Sequence, residues 1–143
     1  MKKENNIKKI VILITVLVLL DQISKIIAYS FFKLATHYEE ISNNNISYII
    51  ISIIVVAMII KYISSNNLFI KKDSKIILSF AIAGAISNVI DRVIQGHVIN
   101  FIKIGNIMEI NLAYIYIIIA WIGMAVILTK NTMNFISKRK ENK

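Results

Sequence analysis

The chain has 143 residues, of which 57% are hydrophobic, and it carries a formal net charge of +9 with no cysteine and no proline. A mean hydropathy of +0.68 is too high for a soluble domain of this length. The lack of cysteine excludes disulfides and thiolate metal sites, and the lack of proline excludes proline kinks.

Four apolar segments follow one another along the chain, each close to the roughly 20 residues that a helix needs to cross a bilayer. They cover residues 7–32, 46–63, 76–94 and 110–128. Backbone hydrogen bonds in lipid must close within a helix or a barrel, and continuous apolar runs without alternation favour helices. We therefore expect an all-α integral membrane protein with four transmembrane helices, forming a single domain over residues 1–143.

The basic residues are concentrated on one side of this predicted bundle. Four lysines lie before or at the start of the first segment, four lie around the connection between the second and third, and five basic residues follow the fourth. The opposite loops, 33–45 and 95–109, hold only Lys33 and Lys103. The positive-inside rule then places both termini in the cytoplasm. Nucleic-acid binding is disfavoured because the basic residues lie beside the membrane, without interleaved aromatic residues.

Two charged residues, Asp21 and Lys25, lie beyond the apolar run 10–20 of the first segment. Their i, i+4 spacing places both charges on one helical face, where they can neutralise each other. They form either a structural ion pair or a polar floor beneath an active site, because intramembrane charges are functional candidates by default. No small-residue cleavage site follows the apolar run, so we interpret the segment as an uncleaved transmembrane helix.

The loop that follows and the second segment offer little chemistry. His37 beside Glu39 and Glu40 is a poor pattern for a metal site, and we predict neither a metal nor another cofactor. The second segment contains no candidate catalytic residue. We interpret it as lipid-facing scaffold.

The end of the third segment is the main polar cluster. Asn88, Asp91 and Arg92 are spaced i, i+3 and i+4 and share one face of a helix. Such residues at the edge of a bilayer are costly unless they serve a purpose, although a charge pair that anchors the helix end is the structural alternative. The guanidinium group of Arg92 can donate a planar pair of hydrogen bonds to a phosphate, a carboxylate or a carbonyl.

The fourth segment is rich in aromatic residues and ends in a basic tail. Tyr114, Tyr116 and Trp121 are candidates for the aromatic belt at a membrane interface. We expect the tail from Lys130 onward to fray and to rest on anionic lipid.

Several of these motifs, in the same order, resemble those of lipoprotein signal peptidases (signal peptidase II). DQISK at 21–25 is similar to the family's DQxSK signature, and GAISNVIDR at 84–92 to its G-A-x-G-N-x-I-D-R block. GHVINFI at 96–102 is similar to G-x-V-x-D-F, and INLAY at 110–114 to F-N-x-A-D. The resemblance implies a multi-pass protein of the bacterial cytoplasmic (inner) membrane. Family members are aspartic endopeptidases that remove the signal peptide of diacylglyceryl-modified prolipoproteins.

The same resemblance implies that the catalytic pair is missing. The two catalytic aspartates of the family correspond to Asn100 and Tyr114. An amide does not titrate, and a tyrosine hydroxyl titrates near pH 10 in model peptides, so neither is a general base near neutral pH. We therefore expect a catalytically degenerate member, a pseudoenzyme that keeps a cleft for lipopeptides.

The resemblance also implies roles for the other polar positions. The expected substrate-binding residues are Asn88, Arg92 and Asn111. The expected polar supports are Asp21, Lys25 and Asp91. Ser87 replaces a glycine of the family's block, and the family's N-x-G-A motif before the second helix is missing. The implied partners are membrane lipids and either a diacylglyceryl-modified prolipoprotein or a peptide antibiotic, and the oligomeric state is left open.

Two alternatives stand beside this hypothesis. In the first, the chain is an active lipoprotein signal peptidase with unusual catalytic groups, and either Glu109, near the start of the fourth helix, or Asp91 substitutes for the lost acids. In the second, the chain is a membrane scaffold that binds no peptide.

Overall fold

A computed structural model describes residues 2–31, 45–64 and 72–141 of the chain. Four helices and one short hairpin make up this described part. In chain order they are α1 (Lys2–Phe31), α2 (Asn45–Ser64), α3 (Lys72–Gln95), β1 (Ile102–Ile104), β2 (Met108–Ile110) and α4 (Leu112–Glu141). Each helix contains a stretch long and apolar enough to cross a membrane, which confirms the predicted four-helix membrane fold. The predictions about His37, Glu39 and Glu40 lie outside the described residues.

The first and last helices, α1 and α4, are longer than the apolar segments from which they were predicted. Both α1 and α4 have 30 residues, which corresponds to about 45 Å at the helical rise of 1.5 Å per residue and exceeds the hydrocarbon core. The expectation that the tail frays from Lys130 was wrong, because α4 continues to Glu141. The predicted start of the fourth helix at 110 was also wrong, since Ile110 belongs to β2.

Helix α3 lies at the centre of the bundle and packs against α1, α2 and α4. It approaches α4 closely at Gly84, where an added Cβ would lie 2.5 Å from the carbonyl oxygen of Ala113. Farther along the same interface, a Cβ added at Gly123 would lie 2.9 Å from the Ile77 side chain. Small residues therefore let these two helices approach closely, as is usual where helices pack in lipid.

The apolar core is small and lies between α1, α3 and α4. Leu17, Ala83 and Tyr116 form its buried centre. The ring of Tyr116 packs edge-on against Phe80, with ring centroids 6.1 Å apart. Tyr116 is therefore a core residue and not a belt aromatic, which corrects that expectation, whereas Trp121 is exposed.

Helix α2 contributes little to this core. None of the residues in its most apolar stretch is buried, as the lipid-facing interpretation of the second segment predicts. Among the packed pairs of described helices, α2 contacts α3. Its surface is therefore available to lipid.

A hairpin that the sequence analysis missed connects α3 to α4. Its antiparallel strands pair Ile102 with Ile110, Lys103 with Glu109 and Ile104 with Met108. The turn contains Gly105, whose positive φ of 56° is a conformation that glycine adopts without strain. The hairpin places residues 98–101 against the end of α3.

Candidate functional site

Polar side chains from α1, α3 and the start of α4 converge at one end of the bundle, which we call the polar end. Its core residues are Asp21, Lys25, Ser87, Asn88, Asp91 and Asn111. Asp21 and Asn111 are 0% exposed, and Lys25 and Asp91 are each 1% exposed. Groups this deeply buried must satisfy one another, because an unpaired charge or amide in apolar surroundings is costly.

An ion triad forms the centre of the polar end. The Nζ of Lys25 contacts Oδ2 of Asp21 and lies 2.6 Å from Oδ2 of Asp91. It also donates to the amide oxygen of Asn88 at 3.3 Å. The pairing of Asp21 with Lys25, predicted from their spacing, is confirmed. The second carboxylate comes from α3, a partner that spacing within α1 could not reveal.

The carboxylate of Asp21 joins three helices. Its Oδ2 accepts a hydrogen bond from the hydroxyl of Ser87 at 2.6 Å, and its Oδ1 accepts one from the backbone N–H of Ala113 at 2.8 Å. Ala113 is the second residue of α4, where backbone N–H groups have no partner within the helix. A negative charge there also interacts favourably with the helix dipole, so Asp21 caps α4 from a different helix.

Asn111 caps the same helix from within the chain. Its Oδ1 accepts from the backbone N–H of Tyr114 at 3.0 Å, which is the usual N-cap bond. Its Nδ2 lies 3.0–3.1 Å from three acceptors: Oδ1 of Asn88, Oδ1 of Asn100 and the carbonyl of Ile99. Asn111 therefore holds residues 99–100 in place, and its own amide is fully engaged.

Asp91 and Gln22 complete the network. Gln22 donates from Nε2 to Oδ1 of Asp91 at 2.8 Å and to the hydroxyl oxygen of Ser87 at 2.9 Å. The backbone N–H of Ile99 donates to Oδ2 of Asp91 at 3.3 Å. Sequence reasoning did not assign roles to Gln22 or Ser87. The signal was present, since Gln22 lies inside the DQISK motif and Ser87 precedes Asn88.

The first turn of α2 also reaches the polar end, although the sequence analysis assigned no chemistry to the second segment. The ring of Tyr48 lies 5.4 Å from the guanidinium carbon of Arg92, a cation–π contact. The side chain of Asn45 donates to the carbonyl of Gly96, which follows α3. Arg92 itself is half-buried and donates from Nη1 to the carbonyl of Asn88 at 3.5 Å.

The two predicted dyad positions lie next to this network. Asn100 is buried, and it lines a pocket of about 360 Å³ together with Lys103 and residues 105–109 of the hairpin. Tyr114 lies half-buried in the first turn of α4. Glu109 lies in β2 opposite Lys103, three residues before α4, which agrees with its predicted position near the start of the fourth helix.

A four-helix membrane bundle with a buried ion triad at one end defines a multi-pass membrane protein with a polar intramembrane site. The family model described as Signal peptidase (SPase) II matches residues 13–130, and the chain belongs to this family. No curated protein sequence matches the chain.

Two solved structures share this fold. One is a bacterial membrane enzyme solved by the in meso method at 2.3 Å; it is 24% identical with a TM-score of 0.77, over 90% of this chain and 92% of the other. The second, also a bacterial membrane enzyme, solved at 1.9 Å, is 23% identical with a TM-score of 0.72, over 85% of this chain and 93% of the other. At these identities the likeness concerns the fold.

Proposed function

We propose that this chain is a signal-peptidase-II-like protein of the bacterial cytoplasmic membrane that binds lipidated prolipoprotein peptides without cleaving them. Signal peptidase II proteins act on lipoprotein precursors in membranes. The chain keeps a hydrogen-bonded polar framework around a site whose expected catalytic positions are Asn100 and Tyr114. The observation that carries the proposal is the hydrogen-bonded position of Asn100.

An aspartic peptidase needs two different protonation states at adjacent acids. One ionised carboxylate takes a proton from water, and a protonated one polarises the scissile carbonyl. Asn100 offers neither group, and its Oδ1 accepts a hydrogen bond from Asn111. What remains for a ligand is the amide NH₂ of Asn100, which donates. A site of this kind favours binding a peptide carbonyl over transferring a proton.

The buried carboxylates of the polar end are poor substitutes for the missing acids. Asp21 accepts from Lys25, Ser87 and the backbone of Ala113. Asp91 accepts from Lys25, Gln22 and the backbone of Ile99. Both carboxylates are therefore engaged in holding the helices together, and neither faces Asn100 as a hydrogen-bond partner in the structure.

One observation favours the second candidate function, an active peptidase with unusual groups. Glu109 lines the same pocket as Asn100, so a carboxylate is present beside the expected site. Among the residues that line this pocket, however, Glu109 has no second acid beside it, whereas the family's chemistry uses two.

Among the three residues proposed to bind substrate, Arg92 is the best placed to face a ligand. Asn88 and Asn111 are buried and bond to each other, so they support the site from beneath. Arg92 is partly exposed, and its guanidinium group lies over the ring of Tyr48. We assign the ligand's backbone carbonyls to Arg92 and Asn100.

The proposed orientation follows from charge. The exposed basic residues Lys130, Lys138, Arg139 and Lys140 lie at the end of α4 that is opposite the polar end. By the positive-inside rule both termini are cytoplasmic, and the site opens on the outer side of the membrane.

The test of activity is a cleavage assay in detergent micelles with a diacylglyceryl-modified prolipoprotein. We expect no cleavage by the chain, and cleavage by the double variant Asn100→Asp, Tyr114→Asp. Cleavage by the unchanged chain would contradict the proposal. Its loss in Glu109→Gln would then support the second candidate.

The test of binding compares Arg92→Ala with Arg139→Ala, a matched removal of an arginine at the opposite end. Loss of charge-assisted hydrogen bonds of about 1.5–3 kcal/mol predicts roughly 10–100-fold weaker binding of the prolipoprotein peptide by Arg92→Ala. Arg139→Ala should bind like the unchanged chain. Equal affinity of both variants would favour the scaffold alternative.

A further inference from the structure

The hairpin ends in a group of exposed apolar side chains, Ile104, Ile107 and Met108, which we call the hairpin tip. They are 47%, 88% and 54% exposed, respectively. Ile104 and Met108 are paired across the two strands and therefore share one face. The pair Lys103 and Glu109 lies on the opposite face, because successive side chains in a strand alternate. The hairpin is thus amphipathic, and its apolar face is exposed at the tip, whereas Ile110 on the same face is buried at the base.

The position of the hairpin in the fold determines what can cover this face. Residues 96–101 connect it to the end of α3, and Asn111 connects it to the start of α4; both of these helices are membrane spans. A strand of three residues reaches only about 10 Å. The headgroup layer on each side of the hydrocarbon core is about 5–7 Å thick. The hairpin tip therefore stays within reach of the lipid headgroups.

The apolar surface next to the hairpin points to the same neighbour. Val93 and Ile94, in the last turn of α3, are also exposed large apolar residues. They lie directly before the segment that leads into the hairpin. The lipid-facing surface of α3 thus extends to the level from which the hairpin emerges.

We propose that the hairpin tip is a lipid-contacting surface that inserts its three apolar side chains at the boundary between headgroups and acyl chains. Its occupant is the membrane leaflet on the side of the polar end. Amphipathic elements bind there by burying an apolar face while their polar face is turned towards water, and here the exposed Lys103 lies on the face opposite Ile104 and Met108. This inference is independent of whether the chain cleaves or binds a prolipoprotein.

Anchoring the hairpin tip positions the candidate site, because the base of the hairpin is part of it. The backbone N–H of Phe101 donates to the carbonyl oxygen of Ile110 at 3.0 Å and joins the two strands at the base of the hairpin. Directly beside it, Asn111 holds Ile99 and Asn100. The depth at which the tip inserts therefore fixes the depth of Asn100 relative to the acyl chains.

The chain contains no cysteine, so single labels can be introduced without removing any native residue. We would prepare Ile107→Cys and, as the matched control on the polar face, Lys103→Cys. Each is labelled with an environment-sensitive nitrobenzoxadiazole dye and reconstituted into phosphatidylcholine vesicles. Lipids with a doxyl quencher at a shallow or a deep acyl position then report the contact.

The expected result is blue-shifted emission from the Ile107→Cys label and quenching by the shallow doxyl lipid several-fold stronger than for the Lys103→Cys label. Both positions are exposed, so the fold should be retained, and circular dichroism of both variants checks this. Equal, weak quenching of the two labels would overturn the proposal. Blue-shifted emission that depends on the protein-to-lipid ratio and resists doxyl quenching would also overturn it, because a second protein copy would then cover the tip.

Discussion

The two ends of the bundle are held together in different ways. At the polar end, α1, α3 and α4 are joined by an ion triad and by hydrogen bonds that cross between helices. At the other end, the close contact between α3 and α4 is the apolar packing of Gly123 against Ile77. Apolar packing suffices to hold spanning helices side by side. The polar network, in contrast, fixes the positions of individual side chains, which is what a site requires.

The largest effect should come from removing the central cation of the polar end. Lys25→Met leaves the buried carboxylates of Asp21 and Asp91 without their counter-ion. Breaking a buried charge network by removing one partner typically costs about 3–5 kcal/mol of unfolding free energy. Denaturant unfolding in detergent micelles, followed by circular dichroism, measures this cost.

The control for this experiment is Lys130→Met, at an exposed lysine of α4. Exposed substitutions of this kind change the unfolding free energy by about 0.5 kcal/mol or less. If the two variants lost the same stability, the contrast between the two ends would be wrong.

A smaller effect is expected from adding a methyl group between α3 and α4. At Gly84 the new Cβ would meet backbone atoms of Ala113, which cannot move aside, so Gly84→Ala should cost about 1–3 kcal/mol. At Gly123 it would meet only the Ile77 side chain, and the gain in helix propensity of up to about 1 kcal/mol offsets the strain. Thermal unfolding of the two variants, compared directly, sharpens the comparison between the ends. A larger loss at Gly123 than at Gly84 would refute it.

The smallest effect concerns one hydroxyl group. Ser87→Ala removes the hydrogen bond to Asp21 and an acceptor for Gln22, and should cost about 1–2 kcal/mol. Ser79→Ala is the matched control, because Ser79 is equally buried but bonds only to the carbonyl of Lys75 in its own helix. Such local bonds add little to helix stability, so the control should change by less than about 0.5 kcal/mol. Equal losses in both variants would show that the bond to Asp21 has no special value.

The four membrane spans could be predicted from the sequence because the residues that lie in the hydrocarbon core must be apolar. The length of α4 beyond the hydrocarbon core could not be predicted from hydropathy. This helix continues through basic residues to Glu141, because its backbone hydrogen bonds form whether or not the side chains are apolar. The hairpin was missed because strands of three residues leave no periodic pattern. Instead, the last residue of its second strand, Ile110, was assigned to the start of the fourth helix, and the rest to a loop.

For the site, spacing within one helix predicted local partners but not those from other helices. The pair of Asp21 and Lys25 could be predicted from i, i+4 spacing, whereas Asp91 as the second acid of the triad could not. Asn111 was expected to touch a ligand, and the structure places its amide in bonds to Asn88 and Asn100. The roles of Asn45 and Tyr48 depend on how α2 packs against α3, which no local pattern encodes.

The cap that Asp21 provides to α4 also bears on biosynthesis. Asp21 enters the bilayer with α1, while its partners Ser87 and Ala113 follow 66 and 92 residues later in the chain. During that interval its carboxylate has Lys25 one helical turn away, so the newly made helix carries a self-neutralised pair instead of two isolated charges. Lys25 thus first neutralises Asp21 while α1 inserts into the membrane. After α3 has inserted, the same lysine lies at the centre of the ion triad.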